Sequence, residues 1–311
     1  MIRDTLRLGV VGLGQWGRHH ARVFGSMPGV ELVGVADLDP REVEATAARH
    51  GTRGYVDYRD LIGKVDAVSV VVPTVSHYGV ARDLLDAGVH VLLEKPMTAT
   101  VEEAERLVAL THRRGTVMLV GHVERFKPAV QHLKEIVSEP LFIQARRVRP
   151  FDPNRVMDVG VVLDLMIHDI DIVLSLVPEP VLEIGGVGVR VYNSHEDLAV
   201  AHLVTEGGCR MTLTASRVSA TKTVEMEATM PDRTIHLDYL REVISIRHFN
   251  GESQRFALDG EEPLRAELAH FVACVRGEAR PLVSAEDGTR ALEVSHRLLR
   301  NLVDITPRVH A

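Results

Sequence analysis

The stretch Gly12-Leu13-Gly14-Gln15-Trp16-Gly17 follows directly on an apolar run at residues 6–11. A strand that ends in so tight a turn needs glycine at the first position. The second glycine lets the main chain approach a pyrophosphate, and the third lets the next helix pack against the strand. The N–H groups at the start of that helix then face the phosphates, where the helix dipole favours negative charge. The stretch therefore predicts a dinucleotide-binding turn, with Gly12, Leu13, Gly14, Gln15 and Trp16 against the ligand.

A second apolar run, at residues 31–36, ends at Asp37, twenty residues after Gly17. A carboxylate at this distance can accept both hydroxyls of an adenine ribose, and it repels a ribose 2′-phosphate. Leu38 supplies no compensating cation, whereas Arg41 could supply one from the start of the next helix. The pattern predicts NAD as the cofactor and leaves NADP as the weaker alternative.

Strand and helix patterns alternate over the N-terminal part of the chain. Nearly continuous apolar runs predict strands at residues 6–11, 31–36, 67–72, 89–94 and 116–120, with a short one near Tyr55. Helices are predicted between them at residues 15–26, 40–50, 76–87 and 98–114. We therefore predict an α/β protein whose residues 1–121 form a Rossmann domain with a doubly wound parallel sheet.

The pattern changes after Gly121. Helices are predicted at residues 128–137, 160–176, 263–276 and 285–302, and a strand at residues 141–149. Between residues 181 and 256 apolar and polar side chains alternate along successive strands, for example at Met211, Leu213 and Ala215. We predict that residues 122–311 form an α+β substrate and oligomerisation domain with an open, mainly antiparallel sheet. The outer face of that sheet suits a dimer or tetramer, although it could equally be solvated.

The composition restricts the partners of the protein. Of its 311 residues 45% are hydrophobic and 25% are charged, and the net charge of −7 disfavours nucleic acid and anionic membranes as partners. Cys209 and Cys274 lie in no metal or redox spacing, which favours free thiols in a reducing compartment. No metal site is predicted, because the histidines form no HExxH or Cys/His pattern. We expect neither a signal peptide nor a membrane span, and hence a cytoplasmic protein.

Glu94-Lys95-Pro96 ends one of the predicted strands. Ligands of open parallel sheets bind outside the carboxyl ends of the strands. The Lys95 ammonium could therefore hydrogen-bond a substrate hydroxyl and stabilise an incipient alkoxide, with Glu94 beside the cofactor. On the tripeptide alone, a surface lysine at a strand end is an equally good interpretation.

Val72-Pro73-Thr74 ends the preceding strand, and His77 follows in the next turn. Pro73, Thr74 and His77 are predicted to lie beside the bound dinucleotide. A proline that starts a loop and a helix cap at Ser76 would explain the same residues.

The helix predicted at residues 160–176 carries a carboxylate and an imidazole about one turn apart. Asp164, His168, Asp171 and Ser175 share a face, at spacings of four, three and four. Asp164 would orient the imidazole of His168 and favour the imidazolium that forms when the ring accepts a proton. This suits a general base, although the spacing alone favours a solvated face that carries a chance pair.

Arginines cluster before and after the loop that precedes this helix, at Arg146, Arg147, Arg149 and Arg155. Their planar donors suit a phosphate clamp for a nucleotide-linked substrate. For at least half of them, a strand edge made soluble by charge is the better interpretation.

Taken in order, these motifs resemble the glucose–fructose oxidoreductase/inositol dehydrogenase (Gfo/Idh/MocA) family over essentially the whole chain. The resemblance implies a nicotinamide-binding Rossmann domain followed by an α+β domain with an open sheet. It also implies that Lys95 is catalytic and that Asp164 and His168 complete the polar site. It thereby favours a catalytic Asp164–His168 pair over a surface pair.

A narrower resemblance rests on GHVERFKP at residues 121–128 and DVGVVLDLMIHDID at residues 158–171. Both runs are similar to those of bacterial UDP-N-acetylglucosamine 3-dehydrogenases, except that Lys127 replaces the usual Asn. This resemblance implies oxidation of the C3 hydroxyl of a UDP-linked N-acetyl amino sugar to a 3-keto sugar, as in lipopolysaccharide biosynthesis.

On this resemblance, Lys95 would hold the C3 oxygen and His168 would accept its proton. Glu124 and Arg125 would contact the sugar or the nucleotide, and one of Arg147, Arg149 and Arg155 would meet the diphosphate. Two alternatives stay open, namely a dehydrogenase of another polyol such as inositol or glucose, and a nucleotide-binding sensor without catalysis.

Overall fold

The computed structural model describes residues 5–153, 159–192 and 194–306, and the chain divides into two compact units. The first unit consists of the residues up to Phe126 together with Glu261–Thr289. The second consists of Lys127–Gly260 and the residues from Arg290 onward. The chain therefore leaves the first unit, forms most of the second, and returns.

A six-stranded parallel sheet with helices between its strands forms the first unit. Its elements are β1 (Leu6–Val11), α1 (Gln15–Gly25), β2 (Val30–Ala36), α2 (Pro40–His50), β3 (Arg53–Tyr55), β4 (Ala67–Val70), α3 (Thr74–Asp86), β5 (His90–Glu94), α4 (Val101–Arg114) and β6 (Met118–Gly121), with 3-10 helices at Tyr58–Leu61 and Val123–Phe126. The strand order β3-β2-β1-β4-β5-β6 is that of a doubly wound dinucleotide-binding sheet. The predicted fold of this half is confirmed.

Caps set the ends of the helices in the first unit. Thr100 forms a capping box with Glu103, so α4 begins at Val101 and not at the predicted residue 98. Gly51 and Gly115 end α2 and α4 with φ angles of 62° and 63°, a left-handed conformation that glycine adopts without steric cost.

A nine-stranded sheet and the helices packed on it form the second unit. In chain order its elements are α5 (Pro128–Ile136), β7 (Phe142–Val148), a π-helix at Val162–Met166 that continues as α6 (Ile167–Leu176), β8 (Val181–Val189), β9 (Leu198–Thr205), β10 (Arg210–Ser216), β11 (Thr223–Thr229), β12 (Arg233–Asp238), β13 (Val243–His248) and β14 (Ser253–Ala257). The chain then forms α7 (Pro263–Val275), α8 (Ala285–Arg300) and β15 (Leu302–Asp304).

The strand order of this second sheet is β14-β13-β12-β11-β7-β10-β9-β8-β15. The pairs β7–β10 and β8–β15 are parallel, and the other neighbouring strands are antiparallel. The predicted open, mainly antiparallel sheet is therefore confirmed. Met211, Leu213 and Ala215 are buried in a core that also contains Ile170 and Val173 of α6, as the alternation along β10 predicts.

The structure changes two assignments that were made from the sequence. The predicted domain boundary at residue 121 falls too early, because the break between the units follows Phe126. Helix α7, which was assigned to the C-terminal domain, belongs to the first unit, because its apolar residues Leu264, Leu268 and Phe271 are buried in the core of that unit. Periodicity identifies the apolar face of a helix but not the core that receives it.

Across the described ranges, no helix is long and apolar enough to cross a bilayer. Cys209 and Cys274 are both buried and free. Burial raises the pKa of each thiol to about 11. Both side chains are therefore protonated and unreactive at neutral pH.

Candidate active site

The turn after β1 contains glycine at three positions, and the structural reason for glycine differs between them. Gly12 has a φ of +90°, and a Cβ atom there would lie 2.3 Å from the carbonyl oxygen of Val71. A Cβ atom on Gly17 would lie 1.8 Å from the carbonyl oxygen of Gly12. At Gly14, by contrast, no atom of the described residues comes within 4 Å of such a Cβ. The protein's own backbone therefore requires two of the glycines, and the third faces open space.

The N-terminus of α1 begins at this open side of the turn. Gly14 is the N-cap residue, no side chain caps the helix, and its first turn carries no acidic residue. The positive end of the helix dipole is therefore available to an anion. Trp16 is 48% exposed, whereas the side chain of Leu13 is buried in the core. Leu13 can contribute to the site only through its main chain.

Asp37 is held at the end of β2 by main-chain donors. Its Oδ2 accepts a hydrogen bond of 2.6 Å from the N–H of Leu13, and its Oδ1 accepts one of 2.9 Å from the N–H of Asp39. Each oxygen keeps a lone pair for a ribose hydroxyl. Arg41, the cation that could have favoured NADP, is paired with Asp39 at 3.3 Å. The residues present here fit NAD.

The loop after β4 is tied to the loop after β5 by His77. Its Nε2 lies 2.8 Å from the carbonyl oxygen of Val72, and its Nδ1 lies 2.9 Å from that of Pro96. Burial lowers the pKa of His77, although both carbonyl groups oppose that change. Pro73 is the N-cap of α3, which begins at Thr74, so Ser76 is not the cap. Any influence of His77 on the cofactor acts through the two loops that it joins.

Glu94 and Lys95 stand at the carboxyl end of β5, and the Lys95–Pro96 peptide bond is cis. The Glu94 carboxylate accepts a hydrogen bond of 3.1 Å from the N–H of Lys95, and it lies 3.3 Å from Nε2 of His20. Burial alone would raise the pKa of Glu94, but the nearby imidazole of His20 and the charge of Lys95 outweigh burial and hold the pKa below its usual value. A carboxylate is thus fixed next to the lysine.

The segment after β6 adds a buried imidazole to the same unit. His122 is buried, and burial together with the charges of Arg125 and Lys95 lowers its pKa to about 3. Its ring is therefore neutral at physiological pH. Arg125 is buried and donates to the carbonyl oxygen of Leu282 at 3.2 Å, while Glu124 is partly exposed. The substrate contacts of Glu124 and Arg125 stay predictions.

Three buried groups of this unit were missed by the sequence interpretation, namely His20, His122 and Glu267. His122 directly follows β6 at the sheet edge that holds Lys95, so its position could have identified it. His20 and Glu267 lie on helices α1 and α7, and nothing in the local sequence relates either one to β5.

In the second unit, the helix that carries Asp164 and His168 begins irregularly. The prediction of one continuous α-helix is wrong over Val162–Met166, which is a π-helix. Glu196, which lies outside this helix, accepts two hydrogen bonds of 3.0 Å from the start of the helix. The N–H of Val161 donates to the main-chain oxygen of Glu196, and the N–H of Val162 donates to its Oε1. Single π-turns occur often at functional sites.

The polar face of this helix is not a solvated surface. The side chain of Asp164 is 13% exposed, and Asp171 is 2% exposed. Arg149 is also mostly buried, and its Nη2 lies 3.8 Å from Oδ2 of Asp164. Burial of these charged groups argues against the solvated-face interpretation of Asp164 and His168.

Arg147 has a different partner from the one predicted. Its Nε and Nη2 donate to the two carboxylate oxygens of Asp169 at 3.0 and 2.9 Å, and its guanidinium lies 5.4 Å from the ring of Tyr239. The planar donors are thus used inside the second unit, and we correct the assignment of Arg147 as a phosphate clamp. Arg149 stays a candidate, and Arg155 lies outside the described residues.

Comparisons with known proteins agree with this geometry. A family model described as "Oxidoreductase family, NAD-binding Rossmann fold" matches residues 6–122, and the GFO/IDH/MocA C-terminal domain matches residues 134–236. The UDP-N-acetylglucosamine 3-dehydrogenase of Acidithiobacillus ferrooxidans is 36% identical over 297 residues, which cover 92% of this chain and 94% of that protein. The chain belongs to the GFO/IDH/MocA oxidoreductase family.

Other relatives extend this assignment. A solved structure of the A. ferrooxidans enzyme has a TM-score of 0.92 and 32% identity, covering 97% of this chain and 98% of that one. The scyllo-inositol 2-dehydrogenase (NAD(+)) of Bacillus subtilis is 28% identical over 318 residues, covering 94% of this chain and 93% of its own. The predicted family, the oxidoreductase class and NAD as cofactor are confirmed. Among the described residues of this GFO/IDH/MocA oxidoreductase, no group of three or more His, Cys, Asp or Glu side chains could hold a metal ion.

Proposed function

We propose that this oxidoreductase oxidises the C3 hydroxyl of a UDP-linked N-acetyl amino sugar to a ketone, with NAD as the acceptor. The observation that carries the proposal is the 36% identity, over nearly both full lengths, to an enzyme named for that reaction. The 3-keto sugar is a substrate that an aminotransferase could use, as in lipopolysaccharide biosynthesis.

The proposed chemistry divides between a few side chains. NAD, held by the glycine turn and Asp37, supplies the hydride acceptor. The Lys95 ammonium hydrogen-bonds the C3 oxygen and stabilises the negative charge that develops as its proton leaves. His168 accepts that proton, and Asp164 orients its imidazole and favours the imidazolium.

The remaining substrate contacts are proposed on the same basis. Arg149 or Arg155 binds the diphosphate, because a guanidinium offers paired donors to phosphate oxygens. Glu124 and Arg125 contact the sugar or the nucleotide. Lys95 and His168 must act on the same hydroxyl for the proposal to hold, and the kinetics of their variants test that requirement.

A substrate panel tests the proposed function directly. Formation of NADH is followed with UDP-N-acetylglucosamine, free N-acetylglucosamine, scyllo-inositol and glucose, and the product is identified by loss of the C3 proton signal in NMR. We expect turnover with the UDP-sugar. Turnover with a free sugar or inositol that does not respond to added UDP would instead support the polyol alternative, which the 28% identical B. subtilis relative favours. No hydride transfer with any compound would support the non-catalytic sensor.

A variant of the proposed base gives a second test. His168→Ala is expected to lower kcat by about 10²- to 10⁴-fold while the Kd of NAD stays unchanged. Ser175→Ala on the same helix is the matched control, because its hydroxyl bonds only the carbonyl oxygen of Ile172 among the contacts found for it. Equal losses of turnover and of NAD binding in His168→Ala would point to a role in folding.

Assembly and location complete the proposal. We propose a homo-oligomer formed through the outer face of the nine-stranded sheet, where cross-strand neighbours such as Arg146 and Glu225 are of opposite charge. We also propose a cytoplasmic location, which two buried free thiols support. Light scattering of the purified protein tests the oligomer, and a monomer at all concentrations would contradict it.

A further inference from the structure

A buried carboxyl group of the first unit has no role in the chemistry proposed above. Glu267, on α7, is 0% exposed. Neither of its carboxyl oxygens has a hydrogen-bond partner among the described residues. An unpaired carboxylate in such a place is strongly disfavoured, because the lost hydration is not replaced.

Glu94 is the charged neighbour that acts on Glu267. Its negative charge adds to the effect of burial, and together they raise the pKa of Glu267 well above its usual value. The Glu94 side chain lies close to Gly121, where its Cδ would be 3.0 Å from an added Cβ atom. A like charge nearby and burial both disfavour the ionised form of a carboxyl group, so we expect only one of the two groups to ionise near neutral pH.

The surroundings decide which of the two carboxyl groups keeps the proton. Glu94 accepts a hydrogen bond of 3.1 Å from the N–H of Lys95, and Nε2 of His20 lies 3.3 Å from its carboxylate. Glu267 has no hydrogen-bond partner among the described residues. The negative charge is therefore stabilised on Glu94, and the proton stays on Glu267.

The other charged groups near this pair do not change that assignment. His20 of α1 faces Glu94, and His122 after β6 is neutral at physiological pH. Lys95 is the cation that acts on Glu94 besides His20, and Glu94 is the charge that acts on Glu267. A second carboxylate at Glu267 would therefore be repelled by the negative charge of Glu94.

We propose that Glu267 is a positioning residue that stays protonated at neutral pH, so that Glu267 and Glu94 together carry a single negative charge, on Glu94, directly before Lys95. One carboxylate balances the charge of one ammonium and leaves Lys95 a hydrogen-bond donor to substrate. A neutral Glu267 adds no second negative charge to that of Glu94. The catalytic consequence rests on the role proposed for Lys95, whereas the protonation of Glu267 does not.

Infrared difference spectroscopy tests the protonation without substrate. At pH 7, subtraction of the Glu267→Gln spectrum from that of the unmodified protein should leave the C=O stretching band of one protonated carboxylic acid. The matched control is Glu262→Gln, at the exposed start of α7, whose side chain is 47% exposed and paired with Arg22. The control should lose only carboxylate bands. Absence of the acid band in the Glu267 difference spectrum would overturn the proposal.

The coupling to Glu94 is tested by titrating the same band. In Glu94→Gln the neighbouring negative charge is removed, so the acid band should disappear at lower pH than in the unmodified protein. An unchanged midpoint would mean that Glu94 does not hold the proton on Glu267, and the proposal would fail.

Kinetics then separate positioning from folding. Glu267→Gln keeps a neutral side chain of the same length and should retain the kcat and pH profile of the unmodified enzyme, whereas Glu267→Ala leaves a buried cavity and should lose about tenfold or more in kcat at unchanged NAD affinity. Equal kcat in the two variants would overturn the positioning role. If the protein oxidises no UDP-sugar but the acid band is present, the proposed function fails and the protonation of Glu267 stands.

Discussion

Replacing Arg147 by methionine tests whether this residue serves the fold or the substrate. The change keeps much of the side-chain length and removes the guanidinium that bonds both oxygens of Asp169, at 3.0 and 2.9 Å. The two side chains are only 10% and 3% exposed, so solvent cannot replace the lost partner. Asp169, which is buried in the second unit, loses both of these hydrogen bonds and the opposite charge.

The expected loss is large. Removing one partner of a buried ion pair costs about 3–5 kcal/mol, and loss of the cation–π contact with Tyr239 adds about 0.5–2 kcal/mol. Arg147→Met/Asp169→Leu removes both charges and should recover most of this loss, because no buried charge is left unpaired.

Urea unfolding gives the assay. Circular dichroism follows loss of the sheets, while fluorescence of Trp16, the one tryptophan of the chain, reports on the first unit alone. We expect Arg147→Met to unfold the second unit at clearly lower urea, with the Trp16 transition as internal reference. Unchanged stability combined with a raised KM for the UDP-sugar would refute this reasoning and restore Arg147 as a phosphate ligand.

Three further predictions follow from the described contacts. Asp37→Ser should weaken NAD binding and improve NADP binding, because the acceptors for the ribose hydroxyls are lost and the repulsion of a 2′-phosphate is removed. Measured Kd values for both cofactors test this prediction. Tighter binding of NADP than of NAD by the unmodified protein would contradict it. Glu196→Ala removes the Oε1 acceptor for the N–H of Val162 at the start of the π-helix, and should lower kcat while NAD affinity stays constant. Glu196→Gln keeps an acceptor and should restore activity; failure to do so would show that the charge, and not the hydrogen bond, matters. Finally, the folded state keeps a proton on Glu267, whereas the unfolded chain releases it once the pH exceeds the ordinary pKa of a glutamate. The free energy of unfolding of the unmodified protein, relative to that of Glu267→Gln, should therefore be highest at low pH. It should fall by about 1.4 kcal/mol per pH unit as the pH rises toward the raised pKa of Glu267. Urea midpoints between pH 5 and pH 8 measure this, and parallel curves would contradict it.

The cofactor half of the site was largely predictable, because its determinants are local. Gly12 and Gly17 are required by atoms of the same turn and its neighbouring strand end, and Asp37 follows at the distance that one strand–helix–strand unit imposes. The position of Lys95 at a strand end was predictable for the same reason. Its chemical surroundings were not, because His20 lies 3.3 Å from Glu94 and Glu267 is subject to the charge of Glu94, although both residues are on helices far away along the chain.

In the second unit too, local features were predictable from the sequence and long-range contacts were not. Alternation along β10 and the apolar stripe of α6 predicted which side chains enter the core. The π-helix at Val162–Met166 was not predictable, since Glu196 bonds its start from a loop 34 residues away in sequence. The partner of Arg147 was likewise hidden, because a guanidinium suits a phosphate and a buried carboxylate equally well.

From its amino acids alone, this protein could be assigned a Rossmann half, a mainly antiparallel second sheet, NAD as cofactor and a short set of candidate catalytic residues. Periodicity, glycine geometry and motif spacing act over a few residues or one supersecondary unit, so they can be read along the chain. Only the tertiary structure decided that α7 belongs to the first unit, that Arg147 is bound to Asp169, and that Glu267 is buried within reach of the charge of Glu94. Burial and charge pairing depend on residues that folding brings together from distant positions, and those interactions determine protonation and partner choice.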